Sequence, residues 1–312
     1  MGMITVFGSI NVDMVMRVES LPRPGETVLC PDYLLVPGGK GANQALAAAR
    51  AGATVAMIGS VGRDAFADTA LSLLRREAID LSAVALSARP TCCAAVWVDK
   101  AGENAIVVAS GANLDTRATQ MEGRHLQRGD WLVLQMEVPP EANWKAVSLA
   151  RSAGARIMLS AAPAGPIPER VLRGIDILLV NRIEGQMVAD AVGIDAAKPA
   201  DIVSGLTKRF GFSCVMTLGA EGAICFGPSG GFHAPALAVA PVDTTGAGDA
   251  FAGILCASLE LGGGMEEAVR RASAGAALAC TKIGAQSSLP YATDIDAATR
   301  RLAGNRPFGL VA

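Results

Sequence analysis

At 312 residues the chain has room for about two structural units of roughly 150 residues each, and 51% hydrophobic against 18% charged residues describes a large core rather than a disordered chain. The 27 Lys and Arg nearly balance 29 Asp and Glu, for a net charge of −2, with no basic tract and only 4% aromatic residues, so a dedicated nucleic-acid binder is excluded. No run approaches the ~18 apolar residues of a spanning helix, and the start Met1-Gly2-Met3-Ile4 carries no cationic leader, so neither a membrane partner nor a secretory signal is expected.

The first strand pattern covers 4–10 and leads through Gly8-Ser9-Ile10-Asn11. Extended stretches at 12–18 and 26–36 follow, split by the turn residues Pro22, Pro24 and Gly25. Gly38-Gly39-Lys40-Gly41 then opens an alanine-rich helix near 42–51, which Gly52 ends. A strand at 54–58 and a helix at 65–78 come next, the helix with Phe66, Ala70, Leu73 and Leu74 in helical spacing. Stretches 91–98 and 104–108 form a second extended pair. From Trp131 onward, strands at 131–135, 156–159, 177–180, 214–218 and 223–226 are interspersed with helices at 141–153, 168–174 and 200–210. Two long helices, near 249–261 and 265–282, close the pattern.

Such alternation specifies an α/β fold: a mostly parallel central sheet flanked by helices. The two early extended pairs have no crossover helix and are read as one small β-sheet lid of about four strands. The lid takes 12–38 and 91–109; the large domain takes 1–11, 39–90 and 110–312. One lid face is expected to close over a ligand and the other to meet a second subunit.

Chemistry concentrates at Asp243-Thr244-Thr245-Gly246-Ala247-Gly248-Asp249, just before a helical pattern. Unpaired amides at a helix start let Gly246, Ala247 and Gly248 surround an anion beside the Asp249 carboxylate, an arrangement that suits phosphoryl transfer. The same residues serve equally as a glycine-rich turn with a first-turn acid, and spacing alone leaves both readings open. Gly39, Lys40 and Asn43 combine close backbone approach with donors, although no Walker A loop is present. Asn11 and Asp13 match vicinal sugar hydroxyls, and Glu137, Asn181 and Glu184 follow strands on the same carboxyl edge of the sheet. Each is also an ordinary cap or turn residue. Seven cysteines form no C-x-x-C pair, and with two histidines in the chain a histidine-built metal centre is not expected. Reduced thiols in a cytoplasmic protein are.

The blocks Gly38–Ala45 (G-G-K-G-A-N-Q-A) and Asp243–Asp249 (D-T-T-G-A-G-D), with Gly8–Asp13 and Asn181-x-x-Glu184, resemble the ribokinase family of carbohydrate kinases over about residues 5–290. The resemblance implies that ATP gives its γ-phosphoryl group to the primary 5-hydroxyl of a pentose, ribose foremost, in a dimer joined through the lids. It implies Asp249 as catalytic base and Gly246, Ala247 and Gly248 as anion hole. Asn11, Asp13, Gly39, Lys40, Asn43 and Glu137 would hold the sugar under an apolar cover of Ala94, Val96 and Ile106. The nucleotide would lie along Asn181, Thr217, Gly219, Gly222 and Gly248, with Glu184 organising Mg²⁺ through water. A potassium ion would take oxygens of Asp243, Thr245, Ala279, Lys282, Gly284 and Ser288.

Two segments depart from the family pattern: Ser160-Ala161-Ala162-Pro163, and Arg182-Ile183 within Asn-x-x-Glu. Alternative acceptors are deoxyribose, a ketohexose or a nucleoside; alternation turns Trp97 away from the sugar side, which favours a small free sugar. A catalytically silent sugar sensor would need neither Asp249 nor the anion pocket. A dinucleotide oxidoreductase lacks its G-x-G-x-x-G after the first strand.

Overall fold

The computed structural model describes residues 2–101, 103–122 and 126–308. In chain order, β1 (Ile4–Phe7), β2 (Asn11–Arg17) and β3 (Leu34–Gly38) precede α1 (Lys40–Arg50), β4 (Val55–Val61), α2 (Ala65–Arg76) and β5 (Asp80–Leu86). Then come β6 (Cys92–Val98), β7 (Asn104–Ala109), β8 (Trp131–Leu134), α3 (Pro140–Ala153), β9 (Arg156–Ser160), α4 (Glu169–Leu172) and β10 (Ile177–Asn181). The remainder comprises α5 (Arg182–Ala191), α6 (Pro199–Phe210), β11 (Ser213–Thr217), β12 (Ala223–Gly227), β13 (Gly230–Ala234), α7 (Ala247–Glu260), α8 (Met265–Ala279), α9 (Ala292–Thr299) and β14 (Arg306–Phe308).

The main sheet has ten strands in the order β14-β13-β12-β11-β10-β9-β8-β1-β4-β5. It is parallel from β11 to β5 and antiparallel from β11 to β14. From β1 the chain later reaches β4 on one side and β8 on the other, so the strand order reverses there. Ligands of open α/β sheets bind outside the carboxyl ends of strands at such a reversal. Alternation explains how short apolar strands feed two cores: Ile4, Val6, Met57, Trp131 and Val133 join the core on one face, and Phe7, Ile58, Leu132 and Leu134 the other. Helices α1, α7 and α8 cover the first face, and α3 and α6 the second. Among the described residues no helix is long and apolar enough to cross a membrane.

The small sheet has four strands, β3-β2-β6-β7, as expected. Its register sets Asp13 beside Ala94 and Val36, and Val15 beside Val96 and Leu34, with Ile106 next to Val96. These residues share one face. The far face is not simply left for another subunit: α2 packs against β3 and β2, and Leu35 joins the first core. Leu34, Ile106 and Val108 are exposed on the face that carries Asp13, and Val107 on the far face.

Several expectations need correction. The extended stretch at 26–36 is a strand only from Leu34; Pro31 has no amide to donate, and the preceding residues lie outside β3, itself an edge strand. The helix expected at 168–174 is a single turn, Glu169–Leu172. β5, β13, β14, α5 and α9 were not anticipated. β5 is a half-exposed edge strand, β13 starts with two glycines, and β14 has three residues including a proline, so each carries a faint pattern.

Candidate active site

The segment leaving β1 and the start of α1 are tied to the exit of β8 through one carboxylate. Ser9 Oγ donates to Glu137 Oε2 at 2.6 Å, and the Lys40 amide donates to the same oxygen at 3.1 Å. The Gly41 amide in turn donates to Ser9 Oγ at 3.2 Å. Gly39, the N-cap of α1, has φ 92°, and a Cβ there would lie 2.8 Å from the Asn11 amide nitrogen. Only glycine fits that close, left-handed approach.

Asn43 and Gln44 on α1 reach across to the first turn of α7. Asn43 Nδ2 donates to Asp249 Oδ2 and Gln44 Nε2 to Asp249 Oδ1, both at 2.9 Å. Gln135 Nε2 donates to Gln44 Oε1 at 2.8 Å, which orients that amide. Asp249 is only 7% exposed. Burial raises its carboxyl above the usual range, while Lys40, Asn43 and Gln44 act in the opposite sense. Among the described residues Asn43 Oδ1 is buried with no partner, so an acceptor remains free beside Asp249.

Asp13 on β2 lies over Gly38, whose missing side chain leaves room for the carboxylate. Burial, then the like charges of Glu137 and Asp249, push it up to about 6 against the pull of Lys40. Burial opposes the Lys40 ammonium, yet Asp249, Glu137, Glu184 and Asp13 together raise it above its ordinary value. Asn11 Oδ1 accepts from Asn113 Nδ2 at 2.8 Å, and Asn113 Oδ1 accepts the Ile10 amide at 3.0 Å. Of the expected cover, Ala94 is buried, Val96 half-buried and Ile106 exposed.

α7 starts at Ala247 behind Gly246, an N-cap at φ 76°. Ala247 donates to Thr244 O at 3.2 Å, and the first bond within the helix runs from the Ala250 amide to Gly246 O at 2.8 Å. The Gly248 and Asp249 amides therefore stand at a positive helix end with no acceptor in the helix. Beside them opens a cavity of about 490 Å³, lined by Thr217, Gly219, Gly222, Ala247 and Gly248. Its other wall is apolar: Leu237, Val239, Phe251, Ala276 and Ala277.

Asn181 and Glu184 do not line that cavity; they form a reciprocal cap at the start of α5. The Asn181 amide donates to Glu184 Oε2 and the Glu184 amide to Asn181 Oδ1, both at 2.8 Å. Burial raises the Glu184 carboxyl, although the Asn181 amide and Lys40 oppose it. Arg182 pairs with Glu221 at 2.7 Å. The other departing segment abuts the exit of β8, where Ala162 O accepts the Met136 amide at 2.9 Å.

Asp243 clasps two loops, accepting the Thr245 amide at 2.9 Å and the Gly284 amide at 2.8 Å. Burial works against its ionisation, but these bonds and Arg17 hold it below the usual carboxylate range. Ser288 Oγ is buried and donates to Ala285 O at 3.0 Å, and Ala279 O accepts the Lys282 amide at 3.4 Å. Among the described residues no three His, Cys, Asp or Glu side chains gather as a metal site. All seven cysteines are free.

The sequence reading overlooked Gln44, Gln135, Asn113 and the apolar cavity wall. Gln44 sat beside Asn43 in a motif already singled out; the others belong to no local pattern.

A family model described as pfkB family carbohydrate kinase matches residues 1–292. A ribokinase of Haemophilus influenzae is 35% identical over 290 residues, covering 92% of this chain and 95% of its own length. The solved structure of a Thermotoga maritima ribokinase superposes with TM-score 0.89 at 30% identity, covering 96% of this chain and 100% of that one. An Arabidopsis thaliana ribokinase complexed with ribose and ATP gives TM-score 0.85 at 27% identity, over 96% of this chain and 98% of that one.

Proposed function

The chain belongs to the pfkB family of carbohydrate kinases and is a phosphotransferase, and from that premise we propose that it moves the γ-phosphoryl group of ATP to the primary 5-hydroxyl of ribose, giving ribose 5-phosphate and ADP. One observation carries the reading: a buried carboxylate, Asp249, held by amides from α1 in the first turn of α7. Asp249 takes the hydroxyl proton as the oxygen attacks phosphorus. Amides of the segment Gly246, Ala247 and Gly248 meet the charge that builds on the transferring group, and they need no reorganisation to do so.

Asp13 accepts from sugar hydroxyls, Asn11 and Asn43 donate or accept, and Glu137 fixes the backbone of Gly39 and Lys40 around the sugar. The Lys40 ammonium, raised by four carboxylates, stays charged and offsets the incoming phosphates. Ala94, Val96 and Ile106 exclude water from the acceptor. Thr217, Gly219 and Gly222 line the nucleotide's cavity and Asn181 flanks its phosphates.

Glu184, in a region where no three acidic, histidine or cysteine side chains gather among the described residues, would hold a magnesium ion through water, with the nucleotide's own phosphates completing its shell. That ion supplies charge neutralisation when bound. The carboxylate of Asp243, the hydroxyls and main-chain carbonyls of Thr245 and Ser288, and the main-chain carbonyls of Ala279, Lys282 and Gly284 would suit a hard monovalent cation such as potassium, and the low-lying Asp243 carboxyl keeps the set anionic. Free thiols throughout favour a reducing, cytoplasmic setting, and the exposed apolar residues of the lid favour a homodimer.

A coupled ADP-release assay across ribose, deoxyribose, fructose and adenosine, with potassium or sodium, tests the reading. Ribose should give the highest kcat/KM. Asp249→Asn should lower kcat by about 10²–10⁴, the usual contribution of a positioned base. Wild-type turnover in that variant, or a better acceptor than ribose, overturns the assignment it addresses.

A further inference from the structure

The two oxygens of Asp249 are held in different ways. Oδ1 accepts from Gln44 Nε2 and Oδ2 from Asn43 Nδ2, both at 2.9 Å. Gln44 is fully buried and its amide is engaged at both ends, because Gln135 Nε2 donates to Gln44 Oε1 at 2.8 Å. Turning that amide over would set its oxygen against the carboxylate and its nitrogen against the Gln135 nitrogen, so its orientation is fixed. Asn43 is engaged at one end alone: among the described residues its Oδ1 has no partner.

Gln135 is itself seated. Its carbonyl, just after β8, accepts from Asn143 Nδ2 on α3 at 2.6 Å, and both residues are fully buried. Its side-chain amide takes the room that Gly8 leaves, since a Cβ on Gly8 would overlap Gln135 Oε1. A chain of amides from α3 through the end of β8 to α1 thus fixes Oδ1, whereas Oδ2 has a donor whose own amide is tethered once.

We propose that Gln44, oriented by Gln135, is a positioning residue that ties down Oδ1 of Asp249 and reserves Oδ2 for the acceptor hydroxyl, with Asn43 giving up Oδ2 as the sugar arrives. The inference rests on the reading of Asp249 as base. The hydroxyl oxygen bonds phosphorus, its proton passes to Oδ2, and the bond from phosphorus to the leaving ADP oxygen breaks with its electron pair on ADP. Once released, Asn43 offers the sugar both a donor, Nδ2, and an acceptor, Oδ1. A donor to a carboxylate also favours its ionised form. Gln44 therefore works with Lys40 and Asn43 against burial and the like charge of Glu137; Asp13 and Glu184 are the other carboxylates within reach of the Asp249 charge. Gln44 and Gln135, both fully buried, act through Asp249 rather than on the sugar.

The test is steady-state kinetics of the full chain with ribose and ATP as a function of pH, for wild type, Gln44→Met, Gln135→Met and the double variant, with thermal melting to verify each fold. Gln44→Met should lower kcat about ten- to hundredfold, the worth of one hydrogen bond to a charged group, and leave the KM for ribose little changed. It should also move the acidic limb of kcat to higher pH, because the carboxylate loses a donor. Gln135→Met should give a smaller loss of the same kind. The double variant should match Gln44→Met alone within about twofold, because Gln135 acts through Gln44. Should Gln44→Met fold poorly, Gln44→Asn, whose amide is one methylene short of Oδ1, should show the same fall in kcat. Wild-type turnover in the folded Gln44 variant, an acidic limb that stays in place, or losses that multiply in the double variant overturn the inference. Failure of the sugar-kinase reading looks different: the wild-type chain itself then yields no ADP with any sugar.

Discussion

Asp13 brings its carboxyl into a pocket already occupied by Glu137 and Asp249, and burial with those charges pushes it up to about 6, although Lys40 pulls the other way. The folded chain consequently holds this proton more tightly than the unfolded one, whose aspartate titrates near 3.8. Between these values the folded state binds more protons, so this group's contribution to stability falls as pH rises through the window and levels off above 6. Asp13→Asn removes that penalty. Its melting temperature should exceed wild type at pH 8, and the gain should shrink as pH is lowered through 6, as scanning calorimetry would register. On the proposed sugar-binding role of Asp13, binding runs the opposite way, because the ionised carboxylate is the better acceptor for hydroxyls. The wild-type KM for ribose should climb as pH drops below about 6; in Asp13→Asn it should be high throughout and lack that limb. A flat wild-type KM from pH 5 to 8 would remove Asp13 from the sugar site.

Helix α1 shows how one element serves both site and fold. Its first turn carries Lys40, Asn43 and Gln44; at its other end Arg50 is buried and donates to Gln286 O at 3.0 Å and Leu289 O at 2.8 Å, and pairs with Glu77 at 3.2 Å. That guanidinium therefore joins α1 to the residue after α2 and to the loop that holds Gly284 and Ser288. Arg50→Met would leave two carbonyls without their donor and Glu77 with only the Tyr291 hydroxyl, which donates to it at 2.7 Å, at a cost of about 3 kcal/mol; urea unfolding should report it, and an unchanged midpoint would mean the clasp contributes nothing. The helix itself was legible because paired glycines precede an alanine-rich run, and the blocks 38–45 and 243–249 of the candidate site were legible because each is contiguous. What was not legible is pairing across distance. The amide chain from Gln135 through Gln44 to Asp249 joins residues 91 and 205 apart, and Asn113 meets Asn11 across 102. No local pattern encodes such bonds. The Asn181–Glu184 pair shows the converse: a motif read for ligand binding also forms the cap of α5, a helix that the sequence reading passed over.

For the molecule as a whole, the small sheet carries the apolar surface that bears on the proposed sugar pocket. Leu34, Ile106 and Val108 are 58%, 54% and 50% exposed on the face that carries Asp13, so the apolar row beginning at Ala94 and Val96 continues into solvent. Contiguous apolar surface of this kind marks an interaction site, and a second copy of the lid offers a matching row under two-fold symmetry. On the proposed role of Ala94, Val96 and Ile106 as the acceptor's cover, burying the row would also seal that cover at Ile106, which one subunit leaves exposed. Sedimentation of the wild type should therefore give about twice the 31.8 kDa chain mass. The double variant Leu34→Lys, Ile106→Lys should sediment as a monomer, since charges facing each other across a desolvated row are costly. Its KM for ribose should rise several-fold, while ATP titration, which reads the distant cavity between α7 and α8, should be little altered. A wild type that sediments as a monomer at assay concentration would exclude the lid-to-lid dimer, and a dimeric double variant would move the interface elsewhere.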